Sequence, residues 1–144
     1  MNDLTKVIQI DSNFYVAYIN KATILRRLGK YKESIEVQQV LLKRKKTPEE
    51  IFGLGVTYEK SGNLKLANEK YKEALAEYDK YLKTPRATSQ DMINKQFLMI
   101  FIQGKDKVLK QINSQLKKNP DNTELLMNKI IIEEFNRREF VSSF

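Results

Sequence analysis

A stretch of this sequence recurs 33 residues further along the chain, and this internal repeat constrains the fold more than any other feature. Residues 18–25 align with residues 51–58, with small and large side chains at matching positions. The match continues through the glycine that follows each stretch, Gly29 in the first copy and Gly62 in the second. Each copy therefore contains two stretches with the apolar periodicity of an α-helix, joined by a turn at one glycine.

Weaker copies extend the pattern in both directions. The second unit carries about two extra helical turns, which lengthen its second helix until Thr84 and Pro85 end it. In the later units a spacing of 34 residues places Asn94, Phe97 and Phe101 before Asn128, Ile131 and Phe135. The same spacing separates Leu4, Val7 and Ile8 from Gln38, Leu41 and Leu42. We therefore expect the sequence to open inside the second helix of an earlier unit and to close after an unpaired first helix.

Helix start signals support this division. Thr47 and Pro48 provide an N-cap and a first-turn proline, and Glu50 predicts a capping box. Similar signals begin at Thr88 and follow Pro120. The predicted helices lie near residues 2–10, 15–28, 31–45, 48–60, 64–82, 89–102, 105–118 and 122–136, followed by a short stub. No strand pattern competes, so the predicted fold class is all-α.

The repeated positions resemble those of a known helical repeat. In the second unit they are Leu54, Gly55, Tyr58, Gly62, Leu64, Ala67, Tyr71 and Ala74, and in the first they are Tyr18, Ala22, Leu25, Gly29, Tyr31 and Ser34. This pattern resembles the tetratricopeptide repeat family, in which antiparallel helix pairs of about 34 residues stack. The resemblance implies a right-handed superhelical solenoid. Its close helix crossings would place Ala22 against Ser34 and Gly55 against Ala67.

The resemblance also implies a division of the chain into repeats. Residues 1–14 would form the second helix of a partial preceding repeat and a link, and residues 15–47 the first repeat. Residues 48–88 would form a second repeat with a lengthened second helix. Residues 89–122 would form a divergent third repeat, in which Gln96 stands where a small residue is expected, and residues 123–144 a partial fourth repeat.

A concave groove lined by first helices is the binding surface that the resemblance implies. Carried onto this chain, the groove residues are Ile19, Asn20, Thr23, Arg27, Phe52, Val56, Asn94, Phe97, Phe101, Met127, Asn128, Ile131 and Phe135. Arg26 would lie at the end of the same face. The apolar members predict an exposed patch of the kind that marks a binding site. The asparagines offer a donor and an acceptor together, which suits bonding to an extended peptide backbone.

Candidate catalytic chemistry is sparse. The sequence contains no cysteine and no histidine, which excludes disulfides, Cys/His zinc sites and Ser-His-Asp relays. The adjacent carboxylates Glu49-Glu50 and Glu133-Glu134 diverge by about 100° on a helix and make poor acid/base pairs. No phosphate-binding glycine loop is present. We therefore expect a protein that is not an enzyme and that carries neither a metal nor another cofactor.

The expected partner is a protein or an extended peptide segment. A net charge of 26 − 18 = +8, with a basic run at residues 43–46, leaves an RNA-binding or anionic-surface-binding module as the alternative. A regulatory segment of a larger multidomain protein is a further alternative. Self-association through the terminal helices is also expected, because their apolar faces lack polar caps. No signal peptide or membrane-spanning run appears in the sequence, so a cytoplasmic location is the default expectation.

Overall fold

The computed structural model describes residues 15–144, and within that range all regular secondary structure is helical, without strands. The helices are α1 (Tyr15–Arg27), α2 (Tyr31–Arg44), α3 (Pro48–Lys60), α4 (Leu64–Tyr81), α5 (Ser89–Gln103), α6 (Lys105–Lys118), α7 (Thr123–Glu134) and α8 (Arg137–Ser143). The prediction of an all-α fold is confirmed for these residues. The helix predicted at residues 2–10, with Leu4, Val7 and Ile8, lies outside the described residues.

Local capping determines where several helices begin. Thr47 accepts a hydrogen bond from the backbone N–H of Glu50 at 3.3 Å, with Pro48 in the first turn, so α3 starts where the sequence predicts. The Glu50 carboxylate, however, accepts a hydrogen bond from the Tyr15 hydroxyl. At α5, Thr88 and Asp91 form a complete capping box.

Two helices, α1 and α3, end in glycine turns at equivalent positions of the sequence repeat. Gly29 follows α1 with a φ of +73°, and Gly62 follows α3 with a φ of +85°. An L side chain is strained in this left-handed region, whereas glycine adopts it readily. Each turn therefore reverses the chain into the next helix with little conformational cost. Asn63 then supports the start of α4, because its Oδ1 accepts from the N–H of Leu66.

The described residues divide into two compact units, and from here on the first unit and the second unit mean these two parts and not the sequence repeats. The first contains the described residues up to Lys70 together with Phe144. In this unit α1 packs on α2 and α2 packs on α3. The Ser34 hydroxyl donates to the main-chain oxygen of Ala22 at 2.8 Å, which shows that small residues let α1 and α2 approach closely. The core side chains of this unit are Ala17, Tyr18, Ala22, Leu25, Leu41, Ile51, Leu54, Val56 and Ala67.

The second unit spans Tyr71–Ser143. In this unit α6 packs on both α5 and α7, and α5 also contacts α7. Its aliphatic core is formed by Ile93, Ile100, Val108, Ile112 and Ile132. Full burial of such a side chain stabilises the folded chain by about 1.5 to 3 kcal/mol. These five side chains therefore stabilise the packing of α5, α6 and α7.

No helix of residues 15–144 is long and apolar enough to cross a membrane.

The Lys105 ammonium group lies at the end of α7, where it donates hydrogen bonds to the main-chain oxygens of Glu133 and Phe135. A cation at this position is stabilised by the negative end of the helix dipole. Lys105 therefore ties the first turn of α6 to the last turn of α7.

Candidate functional site

The first-unit face is formed by α1 and α3, the two helices of this unit that are each followed by a glycine turn. On α1, Asn20 and Arg27 are exposed while Ile19 and Thr23 are half-buried. On α3, Phe52 is half-buried, but Val56 is 0% exposed. Val56 was predicted to line the groove and instead belongs to the core. The face available to a partner is therefore narrower than the sequence predicts.

Arg26 is the most unusual residue of this face. Only 6% of it is exposed, although an arginine is rarely buried without partners. Its Nη1 lies 3.4 Å from the hydroxyl of Thr57, which in turn donates to the main-chain oxygen of Gly53 at 3.0 Å. Burial, followed by repulsion from Arg27, lowers the pKa of Arg26 to about 10. The guanidinium is nevertheless charged at neutral pH.

Phe144 lies in contact with this arginine. The Nε of Arg26 donates to the main-chain oxygen of Phe144 at 2.7 Å, and the guanidinium carbon lies 4.2 Å from the centre of the Phe144 ring. The ring also meets Phe52 edge to face, with centroids 6.2 Å apart. One arginine thus holds both the backbone and the side chain of a single aromatic residue, through a hydrogen bond and a cation–π contact.

Gly53 provides the space for that aromatic ring. A Cβ atom at this position would lie 3.6 Å from the Phe144 ring and 3.6 Å from the Nε2 of Gln38. Both distances are ordinary van der Waals contacts, so a methyl group fits whereas a longer side chain would meet the ring. The predicted groove residues do not include Phe144. The pocket arises from residues far apart in sequence, so no local signal predicts it.

A carboxylate network borders the same face. The Tyr15 hydroxyl donates to the Glu50 carboxylate at 3.0 Å. Burial and then the hydrogen bond to Glu50 raise the pKa of Tyr15 to about 12. Burial also raises the pKa of Glu50, while burial and then Arg26 lower the pKa of Lys60. The face therefore carries a positive charge on the buried guanidinium of Arg26 and a partly desolvated carboxylate on Glu50.

The predicted groove residues of the second unit fall into exposed and buried sets. Met127 is 59% exposed and Ile131 is 39% exposed. Phe97 packs against Phe135 with ring centroids 4.8 Å apart, and both are half-buried. Phe101 is only 7% exposed, so the prediction that it lies in an exposed patch is corrected by its burial. Only part of the predicted patch is therefore accessible to a partner.

The aromatic cluster explains the burial of Phe101. Its ring lies 5.1 Å from that of Tyr71 and 5.8 Å from that of Phe140. The guanidinium carbon of Arg137 lies 4.5 Å from the ring centre. Because Tyr71 comes from α4 and Phe140 from α8, the helical periodicity of α5 alone could not show that this side chain is covered. Its function in the second unit is packing.

The three predicted asparagines occupy different environments. Asn20 is exposed. Asn94 is half-buried, and its Oδ1 accepts from the Nε2 of Gln90 at 2.9 Å. Asn128 is only 6% exposed, and its Nδ2 has no hydrogen-bond partner among the described residues. Equal spacing in sequence therefore does not give the three amides equal access to a peptide backbone.

Asn128 is one of the residues that line a cavity between α5, α6 and α7. The cavity measures about 330 Å³. Its lining residues are Met92, Lys95, Gln96, Met99, Val108, Gln111, Ile112, Gln115, Asn122, Glu124, Leu125 and Asn128. Gln96 is 8% exposed, and its Oε1 is likewise without a partner in the described chain. Asn94 is not among the lining residues, so the two asparagines of the second unit do not converge on one site.

Comparison with known protein families and with curated proteins finds no match for this chain.

The basic run at residues 43–46 ends α2 and continues into the following turn. All four side chains are exposed. The Arg44 guanidinium carbon lies 5.7 Å from the ring centre of Tyr18, and the Lys45 ammonium lies 4.6 Å from that of Tyr15. Two of the four cations thus contact aromatic rings of α1. Because they lie at the C-terminus of α2, they also interact favourably with its helix dipole.

Metal coordination has no obvious place in residues 15–144. Within that range, no three carboxylates come together in a group that could hold an ion. The contacts of Arg26 with Phe144 make the first-unit face the candidate binding site.

Proposed function

We propose that this chain is a non-catalytic scaffold of tetratricopeptide-like helix pairs that binds a protein or an extended peptide segment on its first helices. The observation that carries this proposal is the contact of Arg26 with Phe144. A buried guanidinium there engages the backbone oxygen and the ring of one residue. This is the chemistry with which a groove would hold an aromatic residue of a peptide.

Energetics favour an aromatic anchor at this face. Burying a Phe ring contributes about 1.5 to 3 kcal/mol, and a desolvated cation–π contact adds about 2 kcal/mol. A hydrogen bond from a charged donor contributes about 1.5 to 3 kcal/mol. Residues around Arg26, such as Phe52 and Thr23, would extend the contact along the peptide. The proposed ligand therefore contains a Phe or a similar aromatic residue in an extended segment.

The absence of cysteine and histidine supports a role in binding rather than catalysis. Acid/base or nucleophilic chemistry would then depend on carboxylates, lysines or hydroxyl groups alone. Glu50, the one carboxylate on the first-unit face with a raised pKa, already accepts a hydrogen bond from Tyr15. We infer that it contributes polarity to the face and does not transfer protons to a substrate.

The test uses a fluorescently labelled peptide with the sequence of residues 137–144. In the Phe144→Ala protein the pocket loses its own occupant, so the peptide should bind saturably, and at least about tenfold more tightly than to the wild type. Fluorescence anisotropy measures both titrations. A control peptide carrying the same Phe144→Ala change should not bind.

Two variants at Gly53 provide a matched control in the Phe144→Ala background. Gly53→Ala adds one methyl group where there is room for it, so binding of the peptide should persist. Gly53→Leu fills the space of the aromatic ring and should abolish binding while circular dichroism stays unchanged. Equal affinity of the two peptides, or of the two variants, would refute the proposed groove.

Salt separates this proposal from the nucleic-acid alternative. Phosphate contacts release counterions, so the affinity for a single-stranded RNA oligonucleotide would fall by orders of magnitude between 50 and 200 mM salt. Affinity for the Phe-containing peptide should change far less, because ring burial supplies most of it. A chain that binds the RNA tightly with that steep dependence and ignores the peptide would favour the alternative.

A further inference from the structure

Helix α6 carries a high concentration of positive charge. Its 14 residues include five lysines and one aspartate, so the helix has a charge of +4, half of the net charge of +8 of the whole chain. By contrast, α4 contains four lysines and four carboxylates, which cancel. Like charges close together on a helix destabilise it unless a partner neutralises them. The charge of α6 therefore indicates an anionic partner.

Four of these lysines lie on one side of α6. At about 100° per residue they fall within an arc of about 100°, on the side opposite the buried Val108 and Ile112. We call these four residues the lysine stripe: Lys107, Lys110, Lys117 and Lys118. All four are exposed, and none forms an ion pair with a described residue. The stripe is about 16 Å long, because a helix rises about 1.5 Å per residue.

Amide side chains lie beside the lysine stripe. Asn113 and Gln115 are exposed, and neither has a hydrogen-bond partner among the described side chains. Gln111 uses its Oε1 to accept from the Nε2 of Gln103 at 3.0 Å, which leaves its own Nε2 able to donate. An amide supplies both a donor and an acceptor. The stripe is therefore bordered by groups that can bind phosphate oxygens and hydroxyl groups alike.

Two shallow depressions of the surface follow the stripe. One is lined by Lys107 and Lys110 and the other by Lys110 and Lys117, while Ser114 lines both. The Ser114 hydroxyl donates to the main-chain oxygen of Lys110 at 3.0 Å, so its oxygen can still accept. Asp106 adds one carboxylate to the second depression. Each depression offers two cations beside a hydroxyl acceptor, an arrangement that repeats along the helix and suits a chain of anionic groups.

We propose that the lysine stripe is a docking surface for the sugar–phosphate backbone of double-stranded RNA. Contacts to nucleic-acid backbones come from lysine, serine and amide side chains, the types that this face presents. Amides also suit the 2′-hydroxyl group, which RNA has and DNA lacks. The stripe shares no residue with the first-unit face, so this inference goes beyond the proposed peptide binding and does not depend on it.

A single strand and a lipid surface fit the stripe less well. Single-stranded nucleic acids are held by stacking of their bases on aromatic rings, and α6 contains no aromatic residue. A helix that binds a bilayer inserts apolar side chains into it. In α6, Val108 and Ile112 belong to the second-unit core, and no large apolar side chain of this helix is exposed. A duplex, with its bases paired inside and its phosphates outside, requires only the cations and hydrogen-bonding groups.

The experiment is a titration of the full chain into a fluorescently labelled RNA duplex of about 20 base pairs and mixed sequence, followed by anisotropy. We expect a Kd of about 1 to 100 μM at physiological salt, the range of sequence-independent binding. Four phosphate contacts predict a fall in affinity of about 100-fold between 50 and 200 mM salt. Absence of saturable binding at 50 mM salt would overturn the proposal.

Matched charge variants locate the contact. Lys110→Gln/Lys117→Gln changes two exposed positions, so circular dichroism should stay unchanged while the affinity falls at least about tenfold and the slope of log affinity against log salt decreases by about 2. Lys43→Gln/Lys46→Gln removes the same charge from the exposed basic run and should lower the affinity less than about threefold. Equal losses would reveal a general charge effect, and a larger loss in the control would place the RNA on the basic run. Either result would overturn the proposal.

Comparison ligands test the identity of the partner. A DNA duplex of the same sequence carries the same charge without the 2′-hydroxyl groups, so it should bind at least about threefold more weakly. Phosphatidylcholine vesicles with about 30% phosphatidylserine should not sediment the chain. Equal affinity for DNA, or sedimentation that Lys110→Gln/Lys117→Gln abolishes, would contradict the assignment to RNA. Phe144→Ala should leave RNA binding unchanged, so a failure of the peptide proposal and a failure of this one are distinguishable.

Discussion

The two units follow the same alternation of helices and turns, but they differ where the first helix of a pair meets the second. In the first unit this position is Ala22, and the Ser34 hydroxyl reaches its main-chain oxygen at 2.8 Å. In the second unit the corresponding residue is Gln96, whose Oε1 is buried and unpaired beside a cavity of about 330 Å³. A small residue permits a close crossing, whereas a long polar one occupies the space between helices.

The units also differ in how they use aromatic residues. The first unit holds the Phe144 ring between Arg26 and Phe52, at a half-buried position near the surface. The second unit buries Phe101 in a cluster with Tyr71 and Phe140. Aromatic residues therefore lie near the surface in the first unit and in a buried cluster in the second. The surrounding helices decide how far each ring is covered.

The largest expected effect distinguishes those aromatic roles. Phe101→Ala should lower the free energy of unfolding by about 3 to 5 kcal/mol, because it leaves a cavity in the aromatic cluster. Phe52→Ala, at a half-buried position, should cost about 1 to 2 kcal/mol. Denaturant unfolding of both variants, followed by circular dichroism, measures the difference. A Phe101→Ala protein as stable as the wild type would place that ring on the surface and erase the contrast.

An exchange of residues tests the helix crossing. Ala22→Gln should destabilise the chain by about 1 to 3 kcal/mol, since a larger side chain must separate α1 from α2 and disturb the Ser34 hydrogen bond. Gln96→Ala removes an unpaired oxygen while it enlarges the cavity, and these opposing effects should keep its change within about 1 kcal/mol. Thermal melts of both single variants provide the measurement. Equal losses would mean that the two crossings tolerate side-chain size alike.

The smallest effect concerns pH and the first unit alone. The pKa of Tyr15 is raised to about 12, so its folded-state advantage is complete below pH 10 and is lost as the pH rises towards 12. Tyr15→Phe should cost about 0.5 to 1.5 kcal/mol at neutral pH through the lost bond to Glu50. That difference from the wild type should shrink between pH 10 and pH 12. Urea unfolding at several pH values tests this, and a constant difference would contradict it.

Local features of the sequence determined the helices of this chain. Sequence analysis predicted a helix at 48–60, and α3 has these bounds. Thr47 and Pro48 act within one turn of backbone, and Gly62 supplies a left-handed turn that needs no distant partner. Such signals depend on residues a few positions apart, which is why they can be read from the chain alone. The resemblance to tetratricopeptide repeats also predicted the close approach of Ser34 to Ala22, and the hydrogen bond between them confirms it.

The tertiary structure alone decided how the candidate sites are built. Burial of Phe101 depends on Tyr71 and Phe140, and the pocket at Arg26 depends on Phe144, 118 positions away. Periodicity shows which side chains share a helix face, but it does not show which neighbouring helix covers that face. The unpaired atoms of Gln96 and Asn128 are likewise visible only when three helices surround them. Helices form through short-range hydrogen bonds, whereas cavities and covered faces result from contacts between distant parts of the chain.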